Sequence, residues 1–475
     1  MNRLTLLEAK KGLEEKKFTP KELVQSCIAR IRKVEEKIKA FITLSFDKAL
    51  KEAEKAEELI LSDPLVFQQK PLLGIPVSVK DIFCTKGILT TAGSNILKNF
   101  VPPYDATVVS RLKKAGAIIL GKTNLDAFAH GSSTEASDFF PTRNPWDLSR
   151  VPGGSSGGSA ASVIADEVIF SVGTETAGSI RQPAAWCGIV GAKPTYGRVS
   201  RWGVIAMASS LDSPGPMTKT VADSAFVLNI IAGKDELDAT SSPLPVPDYL
   251  KDINQGVEGV KIGISERYFA GVDKEVKDAV EKAIRKLEEL GAKIEEISLF
   301  DPQYAIAVYT ILQRSEVSSN LARYDGIRFG YPRRFFGEEA KRRIMLGTYT
   351  LSAGYYDKYY LKAQKVRTLI CQDFQKAFRK VDVIVAPTSP TVALPLGASK
   401  DSPMFGELQD VLVEPSTIAG LPGISLPCGF SKEGLPIGMQ IIGPQFSESL
   451  LFRVGYAYEQ ATEWHRLKPK IVISG

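Results

Sequence analysis

The chain has 475 residues, of which 44% are hydrophobic and 24% charged, and its formal net charge of +6 is compatible with a nucleic-acid partner without requiring one. Five scattered cysteines without a CxxC pair argue against a zinc site or a disulfide framework, and they fit a reducing cytoplasm. No apolar run approaches the ~18 residues that a membrane helix needs, and charges interrupt the N-terminus too early for a signal peptide, so we expect no membrane segment.

The first 70 residues are predicted to be mainly helical. Thr19, Pro20 and Glu22 supply an N-cap, a proline at the first helical position and the reciprocal glutamate of a capping box. Apolar residues then recur at helical spacing from Leu23 to Ile38. This helix is therefore expected to pack one face against the body of the protein.

Beyond residue 70, short aliphatic runs alternate with helical stretches, which is typical of an α/β protein with a parallel or mixed sheet. Candidate strands lie in the segments GIPVSVKD, GAIILGKT, EVIFSVGTE, GIVGAKPT, VKIGIS, AKIEEISL, VDVIVAPTSP, GISLPCGF and PIGMQIIG. A helical insertion is predicted for about 302–380. Single cores usually stop growing near ~250–300 residues, but the closing strands resemble the opening ones. We therefore predict one large domain over 1–475, with a catalytic core of 71–235 and 381–475.

The segment PGGSSGGSAA, residues 152–161, has three interpretations. A flexible linker is expected between polar flanks, whereas this segment lies between Asn144-Pro145-Trp146 and an apolar, helix-like run. A phosphate-binding loop would need the Gly-Lys-Ser/Thr ending or the spacing of a dinucleotide turn, and both are missing. The third interpretation, which we favour, is a tight turn that presents a serine where only glycine lets the backbone approach closely.

A second serine motif, GTETAGSIRQP, places Ser179 in a turn after the strand-like run VIFSV. Consecutive backbone N–H groups in such a turn can face a developing oxyanion. Standing alone, Ser179 would be interpreted as an ordinary turn residue. Its hydroxyl also needs a base to act as a nucleophile at neutral pH.

The candidate bases are few, because the chain has only two histidines. His465 lies among charged residues and is interpreted as a surface residue, and His130 as a structural one, since no nucleophile motif accompanies it. Lys80 ends an apolar strand, where desolvation would lower its pKa and favour the neutral amine that accepts a proton. A strand-end lysine paired with Asp81 is the simpler alternative, but the two serine motifs favour catalysis.

Together, GIPVSVKD, PGGSSGGSAA and GTETAGSIRQPAAWCGIVGAKPT resemble the amidase signature family over much of residues 70–230. The resemblance implies a central mixed β-sheet covered by helices on both faces. It also implies a triad in which Ser179 is the nucleophile, Ser155 relays its proton from within a cis peptide, and Lys80 is the ultimate base.

The same resemblance implies an oxyanion hole built by Thr176, Ala177, Gly178 and Ser179. Two positions depart from the family pattern, which usually has Gly at position 177 and Asp at position 175, where this chain has Ala177 and Glu175. If position 177 requires a positive φ, the alanine adds roughly 1 kcal/mol of strain.

Three further segments, GKTNLDAFAHGSSTEASDFFPTRNPWD, SEVSSNLARYDGIRFG and GYYDKYYLKAQKVRTLI, resemble the A subunits of tRNA-dependent amidotransferases, which make Gln-tRNA from misacylated Glu-tRNA. This implies a glutaminase in a heterotrimer with a B subunit, which uses tRNA, ATP and Mg²⁺, and with a small C subunit. The glutaminase itself needs no metal or organic cofactor. The implied glutamine contacts are Asp410 for the α-amine, Arg343 or the adjacent Arg342 for the α-carboxylate, and Tyr309 as a side wall.

Three alternatives remain open at this point. A stand-alone amidase acting on another small carboxamide would be active without partners. A catalytically silent scaffold is disfavoured by the intact Lys80, Ser155 and Ser179, and a nucleotide-binding module by the lack of a complete phosphate motif. The sequence also leaves open whether Asp-tRNA(Asn) is served besides Glu-tRNA(Gln).

Overall fold

The computed structural model describes residues 1–63, 65–400, 402 and 404–471, and a single mixed β-sheet lies at its centre. The strands in the described residues are β1 (Phe41–Leu44), β2 (Pro76–Lys80), β3 (Ile118–Thr123), β4 (Phe170–Glu175), β5 (Val190–Lys193), β6 (Ser213–Thr218), β7 (Lys261–Ile264), β8 (Lys293–Glu296), β9 (Val383–Pro387), β10 (Gly423–Phe430) and β11 (Pro436–Ile442). They are ordered β1-β3-β2-β4-β6-β5-β10-β11-β9-β7-β8. Strand β2 runs parallel to β3 and β4, and β7 runs parallel to β8 and β9, whereas the other pairs are antiparallel.

Helices surround this sheet. Over the same residues they are α1 (Leu6–Glu14), α2 (Pro20–Ile38), α3 (Phe46–Ser62), α4 (Val66–Gln69), α5 (Thr107–Lys114), α6 (Gly157–Ile164), α7 (Arg181–Cys187), α8 (Val221–Ile231), α9 (Lys274–Glu289), α10 (Gln303–Leu321), α11 (Glu338–Leu351), α12 (Lys362–Ala377), α13 (Phe405–Asp410), α14 (Glu414–Ile418) and α15 (Glu448–Gln460). None of the helices in the described part of the chain is long and apolar enough to cross a membrane.

The sheet is covered on both faces, as the α/β prediction requires. Along β3, Ile118 and Leu120 belong to one hydrophobic core, whereas Ile119 between them belongs to another. Successive strand residues point to opposite faces, so these two cores lie on opposite sides of the sheet. Every residue of β2, β3, β4 and β11 is buried, which is the pattern of strands sandwiched between helical layers.

The N-terminal segment forms the predicted helix and also a strand that was not predicted. Thr19 accepts from the Glu22 N–H, and the Glu22 carboxylate accepts in return from the Thr19 N–H, which completes the capping box of α2. The prediction of a mainly helical segment missed β1, which pairs with β3 at the edge of the sheet. Residues 1–70 thus contribute directly to the central sheet.

Strands β6, β7 and β8 also modify the predicted organisation. Strand β6 lies between β4 and β5 and contains Pro214 and Pro216. It was not predicted, because proline is rare inside a sheet. Strands β7 and β8 extend the same sheet beyond β9, although they lie outside the predicted core of 71–235 and 381–475. Residues 302–380, for which a helical insertion was predicted, contain α10, α11 and α12.

The topology brings the two candidate catalytic motifs together at the carboxyl ends of neighbouring strands. Strands β2 and β4 are parallel neighbours, so their carboxyl ends lie side by side. Lys80 is the last residue of β2, and the turn that carries Ser179 follows directly after β4. Ser155 lies just before helix α6.

Candidate active site

Lys80 is completely buried and surrounded by hydroxyl and carbonyl oxygens. Its Nζ lies 2.8 Å from the Oγ of Ser155, 2.8 Å from the Oγ of Ser156, and 3.0 and 3.2 Å from the Oγ1 and carbonyl oxygen of Thr174. Burial lowers the pKa of Lys80 to about 7, against the smaller opposing effect of more distant buried carboxylates. A large fraction of the amine is therefore neutral near physiological pH and able to accept a proton.

The hydroxyl directions distinguish the two serines next to Lys80. The Ser156 hydroxyl donates to the carbonyl of Thr174 at 3.1 Å, so its oxygen is an acceptor towards the lysine. No described acceptor competes with Lys80 for the hydroxyl hydrogen of Ser155. Since a neutral amine has two hydrogens and one lone pair, the lone pair of Lys80 is best matched by the Ser155 hydroxyl.

The simpler prediction for Lys80, an ion pair with Asp81, is wrong. The Asp81 carboxylate lies 3.3 Å from the Nζ of Lys122, and both side chains are fully buried. Asp81 also accepts from the N–H of Thr91 at 2.9 Å. The neighbouring carboxylate is thus already paired, which leaves Lys80 without a close counter-ion and favours its neutral form.

The glycine-serine segment is a crowded turn and not a linker. Every residue from Val151 to Ile164 is buried, and the Gly154–Ser155 peptide bond is cis. A Cβ on Gly158 would lie 2.5 Å from the carbonyl oxygen of Asn124, so only glycine fits there. The Ser156 N–H donates to the carbonyl oxygen of Ser179 at 3.2 Å, which joins the two serine motifs.

Ser179 lies in the turn between β4 and α7 and retains 4% exposure. No described residue accepts a hydrogen bond from the backbone N–H of Ala177, Gly178 or Ser179, so these donors remain available to an oxyanion. The φ of Ala177 is not positive, so the strain considered for an alanine at this position does not arise. Glu175 accepts from the N–H groups of Ile180 and Arg181 at 3.1 and 3.0 Å and closes the turn.

Ser179 lines a narrow cavity together with Tyr309, Arg343 and Asp410. The structure therefore brings the nucleophile candidate together with all three predicted glutamine contacts. A larger vestibule of about 440 Å³ adjoins this cavity and shares Arg343 with it. Arg342, the alternative register for the carboxylate contact, lines the vestibule and not the inner cavity.

Asp410 is buried and held by one oxygen only. Its Oδ2 accepts from the Ser132 hydroxyl at 2.6 Å, whereas no described residue bonds its Oδ1. That free oxygen lies beside the nucleophile turn, since a Cβ on Gly178 would clash with it. Burial raises the pKa of Asp410 well above its ordinary value, and a cation entering the cavity would reverse that shift.

Arg343 is also buried, and it extends from α11 towards the same cavity. Its Nε donates to the carboxylate of Glu339 at 2.5 Å. Burial opposes its charge, but Glu339 and Glu407 outweigh that effect and raise the pKa of Arg343 above its ordinary value. Arg314 holds Glu407 in a second buried ion pair at 2.8 Å. The cavity thus has a permanent cation on one wall and the Asp410 carboxyl on another.

Sequence reasoning missed Ser156, Thr174 and Ser132, whose contacts depend on tertiary packing that no local pattern encodes. His130 is buried with both ring nitrogens unpartnered in the described part of the structure. Burial lowers its pKa well below the ordinary value, so the ring is neutral. It lines the vestibule and makes no hydrogen bond to Ser155 or Ser179, in agreement with its interpretation as a structural residue. The described residues contain no cluster of potential metal ligands.

The chain belongs to the amidase family, whose model matches residues 22–452. Among curated proteins it is 52% identical to the A subunit of glutamyl-tRNA(Gln) amidotransferase from Thermodesulfovibrio yellowstonii over 99% of both chains. It is also 52% identical to the corresponding protein of Heliobacterium modesticaldum over 97% of both chains. These findings confirm the resemblance to the family and to its amidotransferase A subunits.

Solved structures agree with this assignment. The crystal structure of the A subunit of glutamyl-tRNA(Gln) amidotransferase from Thermotoga maritima superposes with a TM-score of 0.85 at 43% identity, covering 100% of this chain and 99% of that one. The peptide amidase from Stenotrophomonas maltophilia superposes with the same TM-score of 0.85 at 30% identity, covering 99% of both chains. The α/β amidase fold predicted from the sequence is therefore confirmed.

Proposed function

We propose that the chain is the glutaminase subunit of a tRNA-dependent amidotransferase, which hydrolyses glutamine to glutamate and ammonia. The observation that carries the proposal is the cavity at Ser179. A buried Lys80–Ser155 pair lies next to the turn that carries Ser179, and the cavity is lined by the acidic side chain of Asp410 and the cationic side chain of Arg343. The similarity to amidotransferase A subunits over nearly the whole chain supports the same conclusion.

Free glutamine carries an ammonium group and a carboxylate on its α-carbon, so its pocket needs opposite charges at two points. In the proposal the Oδ1 of Asp410 accepts from the α-ammonium group, and Arg343 donates to the α-carboxylate. Tyr309 forms a side wall between them. The opposite charges on the cavity walls suit an amino acid, and they disfavour an extended apolar amide.

In the proposed reaction, Ser179 Oγ attacks the side-chain carbonyl carbon of glutamine while its proton passes through Ser155 to the neutral Lys80. Negative charge develops on the substrate oxygen and is stabilised by the N–H groups of the turn formed by Thr176, Ala177, Gly178 and Ser179. The tetrahedral intermediate collapses as the relay returns the proton to the amide nitrogen, and ammonia leaves. Water then attacks the glutamyl ester by the same relay and releases glutamate.

The proposed assembly is a heterotrimer with a B and a C subunit in the cytoplasm. Ammonia passes to the B subunit, which binds the misacylated tRNA and uses ATP and Mg²⁺ to convert Glu-tRNA(Gln), or also Asp-tRNA(Asn), to the amidated product. In the proposal, Lys80, Ser155 and Ser179 carry out the hydrolysis of glutamine, and ATP and Mg²⁺ are used by the B subunit alone. We assign partner contacts to the insertion at 302–380, where large apolar side chains are exposed on α11 and α12, namely Met345, Leu346, Tyr349 and Leu369.

A stand-alone amidase acting on another small carboxamide is the second candidate, and the similarity to a peptide amidase favours it. The two candidates differ in their dependence on partners. Ammonia release from glutamine is measured for the purified chain alone and after addition of the B and C subunits, with a peptide amide as the alternative substrate. Turnover of glutamine that rises with the partners supports the proposal. Equal turnover with and without them, or a preference for the peptide amide, contradicts it.

A further inference from the structure

The peptide plane between Ala177 and Gly178 is oriented by a residue far away in the sequence. Thr417, on α14, donates its hydroxyl hydrogen to the carbonyl oxygen of Ala177 at 2.7 Å. This peptide bond is trans, so its C=O and the N–H of Gly178 point in opposite directions. Fixing the carbonyl on the α14 side therefore fixes the Gly178 N–H on the other side.

The direction of the Thr417 hydroxyl follows from its neighbours. Two other acceptors lie farther away than the Ala177 carbonyl, namely the Glu175 carboxylate at 3.1 Å and the Val413 carbonyl at 3.4 Å. The nearer oxygen of Glu175 already accepts from the Nε and Nη2 of Arg181 at 2.9 and 2.6 Å. The hydroxyl hydrogen of Thr417 is therefore directed to the carbonyl oxygen of Ala177.

Arg181 completes this arrangement from below the turn. Its Nη2 donates to the Oγ1 of Thr417 at 2.9 Å, and a hydroxyl that accepts from a cation becomes a stronger donor. Arg181 is completely buried and pairs with Glu175, which itself holds the N–H of Ile180. The guanidinium, the carboxylate and the hydroxyl therefore form one buried unit beneath the turn.

We propose that Thr417 is a positioning residue, which aims the Gly178 N–H at the oxyanion of the tetrahedral intermediate. It touches neither substrate nor reacting atoms, and it acts through the Ala177–Gly178 peptide. The inference rests on the proposed amide hydrolysis but not on glutamine as the substrate.

The test compares Thr417→Val, which keeps the side-chain shape and removes the hydroxyl, with Thr417→Ser, which keeps the hydroxyl. Loss of one oxyanion-hole donor costs about 10²–10³ in kcat, and here the donor stays but loses its fixed direction. We expect kcat for glutamine hydrolysis, measured with the B and C subunits present, to fall about 10- to 100-fold in Thr417→Val. KM should change less than about twofold, and Thr417→Ser should recover most of the rate.

A second readout separates positioning from a general loss of structure. The boronic acid analogue of glutamine, with the side-chain carboxamide replaced by boronate, forms a tetrahedral adduct on a serine and places an oxygen in the oxyanion hole. Its inhibition constant should rise in Thr417→Val by the same factor as kcat falls. The inhibition constant of glutamate, whose side-chain carboxylate is planar and forms no tetrahedral adduct, should not change. If Thr417→Val does not fold, as judged by its thermal unfolding, Thr417→Ala removes the same hydroxyl without fitting an extra methyl group.

An unchanged kcat in the folded valine or alanine variant overturns the proposal. So does an equal loss of glutamate binding, or a serine variant as slow as the valine variant. A wild-type protein that hydrolyses another amide but not glutamine contradicts the proposed function alone. In that case the same variants are compared on the accepted amide, and the expected loss in kcat stands unchanged.

Discussion

The pH dependence of amide hydrolysis tests the role of Lys80 directly. Burial lowers the pKa of Lys80 to about 7, and only its neutral form can accept the proton of Ser155. With that pKa, the neutral fraction rises from about 9% at pH 6 to about 91% at pH 8. We therefore expect kcat/KM to increase about tenfold between these pH values and to stay level above pH 8 until glutamine loses the α-ammonium proton that Asp410 is proposed to bind. An ordinary lysine near pKa 10.5 would be only about 0.3% neutral at pH 8, so its rate would keep rising tenfold per pH unit.

The assay measures kcat/KM for ammonia release from glutamine at constant ionic strength from pH 5.5 to 10. Lys80→Met should abolish turnover, and Lys80→Arg should do the same, because a guanidinium stays protonated over this range. Lys193 provides a matched control, since it is also completely buried and burial likewise lowers its pKa to about 7. Its Nζ donates to the Pro194 carbonyl at 3.0 Å and contacts neither serine of the relay. Lys193→Met should therefore keep the rise in rate between pH 6 and 8.

Two outcomes would contradict the assignment of Lys80 as the base. A rate that is flat from pH 6 to 9 would show that no group with a pKa near 7 has to lose its proton. A rate that rises in wild type but is flat in Lys193→Met would assign the titration to Lys193 and not to Lys80.

Three further predictions concern the cavity and the relay. Asp410→Asn should raise KM for glutamine about 10- to 100-fold in steady-state kinetics, because a charge-assisted hydrogen bond to the α-ammonium group is lost. An unchanged KM would show that Asp410 does not bind the substrate. Arg343→Gln should raise KM by a similar factor, whereas Arg342→Gln, outside the inner cavity, should change it less than about threefold; the reverse order would show that the carboxylate contact is Arg342. Ser155→Ala should lower kcat about 10²- to 10⁴-fold, whereas Ser156→Ala should lower it much less, because the hydroxyl hydrogen of Ser156 is directed to Thr174. Equal losses of ammonia release in the two variants would contradict the assignment of Ser155 as the relay.

The elements with strong local signals were predictable from the sequence. The capping box at Thr19 and the aliphatic run that ends at Lys80 specify their structures through neighbouring residues, and both appear as expected. Strand β6 was missed because its prolines and glycine are typical of turns. Its place between β4 and β5 depends on pairing with strands that lie elsewhere in the chain.

The residues of the candidate site likewise include some that local sequence patterns indicate and others that they do not. Ser155 and Ser179 lie in motifs whose glycines and small residues mark close backbone approach, and Lys80 ends an apolar strand. These local patterns, together with the resemblance to the amidase signature family, selected the three residues. Ser132 and Thr417 carry no such mark, because their contacts with Asp410 and Ala177 join segments more than 200 residues apart. Such contacts become visible only when the chain is folded.

Mass spectrometry of the enzyme during turnover identifies the nucleophile, on which the whole proposed mechanism depends. The protein is mixed with glutamine in the presence of the B and C subunits, quenched with acid and digested. We expect a glutamyl group on the peptide that contains Ser179, and neither adduct nor ammonia release in Ser179→Ala. A glutamyl group on Ser155, or undiminished ammonia release in Ser179→Ala, would contradict it.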